Sequence, residues 1–324
     1  MARNNVIEFL RERLISRYVG LLFGLTLLLI SGEECQVIAR GKEKIISTIK
    51  KPGKKRINNV SRKTKATIPN VANAKKDVLT VSVPLFGKKY TRVTLKDRSL
   101  RGAVYYLASG HGGPDPGAIG YYGKQPLAED EYAYDVTIRL ARALMEHGAA
   151  VYMMVRDPND GIRDDKILKM DHDEVAYGDQ TIPLDQVKRL RQCTDAVNRL
   201  HSRLKAKYQR LVTIHVDSRS QGEKIDVFFY HHENSKPGKR LAKHIHKSFK
   251  SGYKRSQPGR DYSGTVSDRS SLYVVKNSHP PTVFIELGNI QNDKDQRRFL
   301  IADNRQALAN WICAGLQTDL KRAR

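Results

Sequence analysis

A chain of 324 residues is long enough to bury a full core and to hold one large domain or two small ones. Its 40% hydrophobic and 28% charged residues are ordinary for a soluble globular protein, and three cysteines exclude a disulfide framework or a zinc site built on cysteine pairs. The net charge of +24 is not ordinary, but residues 1–101 hold 23 Lys and Arg against 7 Asp and Glu. The basicity therefore belongs mainly to the N-terminal third and says little about the rest.

At the N-terminus, Arg3, Arg11, Arg13 and Arg17 precede an apolar run over 19–30, interrupted by Gly20, Gly24 and Thr26. About a dozen residues fall short of the ~20 that span a bilayer as a helix. A basic stretch followed by a short apolar one predicts a secretory signal peptide over 1–35. No clear A-x-A site follows, so an uncleaved membrane anchor and a buried or amphipathic N-terminal helix stay open as alternatives. Glu33 and Glu34 before Cys35 are the wrong residues for lipoprotein processing. Residues 36–76, rich in Lys, Arg, Asn and Thr, read as a basic, disordered linker. On an exported chain, the run Lys50-Lys51-Pro52-Gly53-Lys54-Lys55-Arg56 suits an anionic envelope surface better than nucleic acid, or serves only as a solvated spacer. The expected location is the periplasm or cell envelope, with anchorage to the inner membrane if the first segment is retained.

From residue 77 the character changes to that of one folded domain ending at 324. Residues 78–83 and 90–95 predict two strands joined around Phe86-Gly87. The apolar run 102–108 predicts a buried strand that breaks into Ser109-Gly110-His111-Gly112-Gly113-Pro114-Asp115-Pro116-Gly117-Ala118. Open α/β sheets bind ligands outside the carboxyl ends of their strands. His111 there is a candidate metal ligand or general base, or a turn histidine bonded only to its own loop. Glu129, Asp130 and Glu131 open a helix with Ala133, Val136, Leu140 and Leu144 at helical spacing, and acids suit its positive end. Gly148 ends that helix, and a buried strand over 149–155 completes a β-α-β unit.

Residues 156–185 show no sustained period and read as a long surface loop at the rim of a site. Asp157, Asn159, Asp160 and Gly161 invite comparison with a calcium loop, but the alternating D-x-N-x-D-G spacing is missing. Leu190, Cys193, Val197, Leu200 and Leu204 mark the next helix, and the strand over 211–218 runs into His215. This is the second strand to end on a histidine. A strand over 225–230 and a helix through Leu241, Ile245 and Phe249 follow, with His231, His232, His244 and His246 assigned to surface or helix faces. In the last strand, 281–289, Glu286 emerges from an apolar run, which requires a partner or a functional site. Asp303 or Asn304 is placed to cap a last helix carrying Leu308, Trp311, Ile312 and Leu316.

The strand-end residues are thus His111, His215 and Glu286, with Glu129 shortly after the first. Two histidines and a carboxylate are the protein ligands of one kind of catalytic zinc site, and a further carboxylate is needed to move a proton. Chemistry alone leaves open which glutamate takes which part. Four segments, GHGGPDPGAIG at 110–120, EDEYAYDVTIRLARAL at 129–144, LVTIHVD at 211–217 and VFIELGNIQN at 283–292, resemble the zinc-dependent N-acetylmuramoyl-L-alanine amidases of bacterial cell walls, in that family's order and over about 102–318. The resemblance implies a mixed, mostly parallel β-sheet with helices on both faces. It also implies Zn2+ held by His111, Glu129 and His215, Glu286 as catalytic base, and peptidoglycan as substrate.

The chain departs from the family pattern at Ala108-Ser109, where Asp-Pro is usual, and at Asp217, where Asn is usual; both bear on the polar groups around the ligands. The glycines of 110–113 are expected to clear space for a bulky glycopeptide. Arg191 and Arg269 are candidate contacts for substrate carboxylates or solvated surface groups. The competing readings are a peptidoglycan-binding module without catalysis, a zinc peptidase acting on stem peptides, and a basic nucleic-acid-binding protein motivated by charge alone.

Overall fold

The apolar runs of the sequence become the strands of one central sheet. The computed structural model describes residues 79–218 and 226–324. The predicted leader and linker, 1–35 and 36–76, lie outside the described residues, and a compact unit runs from Thr80 to Arg324.

In chain order, β1 (Thr80–Ser82) and β2 (Arg92–Thr94) pair antiparallel, linked through a 3-10 turn at Pro84–Phe86. They form their own small sheet rather than extending the central one. Next come β3 (Ala103–Ser109), a hairpin of β4 (Ile119–Tyr122) and β5 (Gln125–Ala128), helix α1 (Glu129–Glu146), β6 (Ala150–Met153) and β7 (Val155–Arg156). Then follow β8 (Val175–Ala176), β9 (Gln180–Thr181), α2 (Gln186–Leu204), β10 (Tyr208–Asp217), β11 (Phe228–His231) and α3 (Lys236–Ser256). The chain closes with β12 (Thr265–Asp268), α4 (Tyr273–Asn277), β13 (Thr282–Asn289), α5 (Asp293–Leu300) and α6 (Ala302–Ala323).

The central sheet has the order β12-β11-β13-β10-β3-β6, parallel throughout except where β11 meets β13. Alternation along each strand divides its side chains between two faces. Tyr105, Leu107, Val212, Ile214, Val283 and Ile285 belong to the larger core, with α1, α3 and α6. Val104, Tyr106, Ala108 and Leu211 pack with α2, and Tyr230 and Phe284 pack with α4 and Leu190 of α2. This is the mixed, mostly parallel sheet between helices that the family resemblance implies.

Local signals set the helix starts. Asp185 caps α2 by accepting the Lys188 amide at 2.7 Å, Ser235 caps α3, and Asn292 caps α5 by accepting the amides of Lys294 and Asp295. Helix α1 is anchored from within: buried Asp135 accepts from Arg139 at 2.7 Å and from buried Arg305 of α6 at 2.6 Å. That ion cluster fixes the helix that begins with Glu129, and removing one partner would strand a buried charge.

Two expectations need correction. Neither Asp303 nor Asn304 caps the last helix, because only Ile301 separates α6 from α5 and that cap position offers no side-chain hydrogen bond. The stretch 156–185 is not without regular structure, since β8 and β9 join β7 in a three-stranded sheet. Among the described residues, no helix is long and apolar enough to cross a membrane.

Candidate active site at the carboxyl ends of the strands

Strand β3 hands the chain to Gly110 and then to His111, whose φ of 64° lies in the left-handed region. That conformation is uncommon for a residue with a β-carbon and typically costs about 1–2 kcal/mol. It brings the ring over the start of α1, with Nε2 3.3 Å from Glu129 Oε2. The other ring nitrogen, Nδ1, is 2.8 Å from Asp115 Oδ2. Asp115 in turn accepts the Gly117 amide at 3.2 Å and an ion pair from Arg189 on α2.

Next along the sheet, β10 delivers His215, whose Nδ1 lies 3.0 Å from Glu129 Oε1. Its ring stacks on Phe284 of β13, with centroids 4.3 Å apart and planes 15° from parallel. Glu129 itself is buried and held by backbone amides, Val216 on Oε1 and Ala118 on Oε2, each at 3.0 Å. One ligand atom from each of His111, Glu129 and His215 lies within 4.8 Å of the other two. Three separate elements therefore bring two nitrogens and a carboxylate to one point.

Burial opposes charge on Glu129, yet the hydrogen bond to His215, the charges of both histidines and the Ala118 amide hold its carboxyl below the ordinary range. Burial likewise opposes charge on His111, but the bond to Asp115 and the charge of Glu129 outweigh it and raise the imidazole. The hydrogen bond to His111 is the largest influence that depresses Asp115, whose carboxyl falls to about 2.

Glu286 arrives by register. The parallel pairing of β10 and β13 sets it opposite His215, and Phe284, two residues earlier, is the residue stacked on that histidine. Glu286, Phe284 and His215 therefore share one face of the sheet. Just beyond, β13 bulges, so that Asp217 pairs with Asn289, and Gly288 takes φ 146°.

The glycines of the turn do something other than expected. A β-carbon on Gly110 would stand 2.2 Å from His215 Nδ1, and one on Gly117 would stand 2.7 Å from the His111 ring. Those on Gly112 and Gly113 would meet Ile182. They make room for the protein's own ligands and loop rather than for a glycopeptide. An adjoining groove of about 250 Å³ is lined by Phe284, Met154, Ala176 and Ile182 together with His111 and His215. The stretch 156–185 thus supplies part of the wall.

Arg191 and Arg269 are exposed and do not line the groove, whereas Arg189 does. Cys193 also lines it, with burial pushing its thiol up to about 12. His244 pairs with Asp319 at 3.4 Å and His246 bonds the Gly264 carbonyl at 2.8 Å, both away from the groove. The sequence reading missed Asp115 and Arg189. A carboxylate four residues after His111 is the only local signal for the first; the second comes from 74 residues further along the chain.

Two histidines and a carboxylate at the carboxyl ends of parallel strands, beside an open groove and a further carboxylate, define a hydrolase site able to hold a metal ion. A family profile described as N-acetylmuramoyl-L-alanine amidase matches residues 106–318, more than half of the chain, and the chain belongs to that family. It is accordingly an enzyme that hydrolyses peptidoglycan at the amide between N-acetylmuramic acid and L-alanine.

Among solved structures, the chain is similar to the CwlD amidase from Clostridioides difficile in complex with the GerS lipoprotein, with 20% identity and a TM-score of 0.50 over 68% of this chain and 99% of that one. It is also similar to the amidase Ami1 from Mycobacterium smegmatis, with 19% identity and a TM-score of 0.49 over 69% and 99% of the two chains. For the amidase AmiC2 of Nostoc punctiforme the figures are 20% and 0.48, over 69% and 99%. At 20% identity, the likeness to the first of these speaks for the fold alone. A search of curated proteins found no match.

Proposed function

We propose that this enzyme works with zinc held by His111, Glu129 and His215, and with Glu286 as the general base. The observation that carries this reading is the convergence of three ligand atoms, from the β3 turn, α1 and β10, within 4.8 Å of one another. Two imidazoles and one carboxylate suit zinc, which accepts nitrogen and oxygen donors in a tetrahedral site with one position left for chemistry. When bound, zinc supplies Lewis acidity to the attacking water and to the scissile carbonyl.

The chain's own residues do the rest. Asp115 accepts from His111 Nδ1, which leaves Nε2 with its lone pair free for the metal. The Ala118 and Val216 amides orient both oxygens of Glu129, and Phe284 fixes the plane of His215. Glu286 takes the proton from water as its oxygen bonds the lactyl carbonyl carbon, then passes it to the departing L-alanine nitrogen as the C–N bond breaks. Export by segment 1–35, with 36–76 as a basic tether to an anionic envelope surface, completes the proposal, and the catalytic unit would then span 77–324.

The test is a pair of variants analysed for metal content and turnover. Glu286→Gln should keep zinc and lose turnover by about 10²–10⁴-fold, the usual contribution of a general base. His215→Ala should lose both. Full activity in Glu286→Gln would refute the assigned role, and retained zinc in His215→Ala would refute the ligand set.

A further inference from the structure

We propose that Asp157, Asp171 and Asp173 form a second metal site, for a hard divalent cation of the calcium class, in the segment that buttresses the active-site turn. Between β7 and β8 the chain lays a ring of acids against the first turn of α1. Glu131, Asp157, Asp160, Asp171, Asp173 and Glu174 fall into overlapping groups of three whose ligand oxygens lie within 4.8 Å of one another. Some of these charges are already answered. Arg163 stands 2.8 Å from Glu131 and also pairs with Asp160, while Glu174 accepts the Gly113 amide at 2.7 Å.

The group of Asp157, Asp171 and Asp173 is answered only in part: the Asn159 side-chain amide donates to Asp173, but among the described residues no Lys or Arg forms an ion pair with any of the three. Asp157 is only 1% exposed. Its Oδ1 accepts the amides of Asn159 and Asp160 at 3.1 and 2.7 Å, but its Oδ2 is buried without a hydrogen-bond partner. Asp171 Oδ1 is buried and unpartnered as well. Burial also pushes the Asp157 carboxyl up to about 7, with the charge of Asp160 adding to it and the two amides and the more distant charge of Arg163 opposing it.

A divalent ion removes the conflict. Calcium takes six to eight oxygens at about 2.3–2.6 Å, so oxygens sharing one ion stand no more than about 5 Å apart. The separations here meet that limit. The donors are all oxygen, which selects a hard cation rather than the borderline metal suited to the two histidines. Asp173 is exposed and leaves a way in for the ion and for water ligands. The arrangement is not the alternating loop of an EF-hand; the donors come from the two ends of one long segment, which the ion would tie together.

The site would bear on catalysis through its neighbours. His172 Nδ1 donates to the Gly113 carbonyl at 2.9 Å, and Glu174 accepts the amide of the same residue. Both residues sit beside the proposed ligands and hold the turn that carries His111.

The experiment is calorimetric titration of the full chain with calcium chloride at neutral pH, with zinc already saturating so that the active site is occupied. One calcium ion per chain should bind and raise the Tm. Asp157→Asn keeps the oxygen that accepts the two amides, and Asp173→Asn changes an exposed group, so both variants should fold; each should bind calcium at least tenfold more weakly. Absence of calcium binding by the wild-type chain at millimolar concentration would overturn the proposal, as would undiminished binding by both variants.

Discussion

Helix α1 starts between two clusters of charge that treat its acids in opposite ways. Glu129 faces two imidazoles and two backbone amides, and its carboxyl is held below the ordinary range. Glu131, two residues on in the same turn, is pushed up to about 7 by burial despite the charge of Arg163. Both feel the same positive helix end, so the dipole that explains why acids occur here does not decide their state. What they face does. The first cluster mixes nitrogen with oxygen and balances its charge, while the second gathers oxygens alone and leaves part of its charge unanswered.

The comparison is broken most severely by crowding the first cluster. Gly110→Ala would set a β-carbon 2.2 Å from His215 Nδ1, so the imidazole of this proposed ligand would have to move. Zinc affinity should fall by more than 100-fold, with hydrolysis falling in step, while calcium binding at the second cluster is unchanged; parallel metal titrations would check this. A smaller effect is expected from Asp115→Asn, which weakens the hold on His111 without touching the ligands. Loss of such an outer partner typically costs 10–100-fold in metal affinity, and zinc competition with a chromogenic chelator would measure it.

The smallest effect is one of stability and sharpens the second cluster. The carboxyl of Asp157 lies near 7 in the fold, against an ordinary value of 3.8. A proton held more tightly when folded stabilises fully below about pH 4 and is lost as pH rises through about 7. Without calcium, the Tm of Asp157→Asn should therefore gain on the wild type between pH 4 and pH 8. Saturating calcium should reverse that order at neutral pH. A calorimetric difference that is flat with pH would count against an uncompensated Asp157.

Much of this architecture is legible in the sequence, because a buried strand is an apolar run and a strand-end ligand is the polar residue that interrupts it. His111, His215 and Glu286 stand out for that reason, and Glu129 by its place at a helix start. The fourth segment of the family resemblance, with Glu286, gains its meaning from register, since only the pairing of β10 with β13 sets it opposite His215. Short polar elements escape. The sequence of α5, Asp293–Leu300, has apolar residues only at its end, and the β4–β5 hairpin has no alternating pattern.

The support beneath the ligands is invisible for a different reason. Asp115 reaches His111 only because the intervening turn takes left-handed backbone at His111, Gly112 and Gly113, and Arg189 joins them from a distant helix. The acids of the second cluster lie between residues 131 and 174 with no recognised spacing. Ala108 and Ser109, where the family pattern usually places Asp-Pro, are both buried, and the carboxylate that pairs with His111 belongs to Asp115.

The most direct test of the central claim is mass analysis of purified peptidoglycan digested by the zinc-loaded chain, by the chain stripped of metal, and by the stripped chain given zinc again. The account predicts free stem peptides beginning at L-alanine in the first and third digests and none in the second. Shortened stems still attached to sugar, or equal release by the stripped chain, would contradict it.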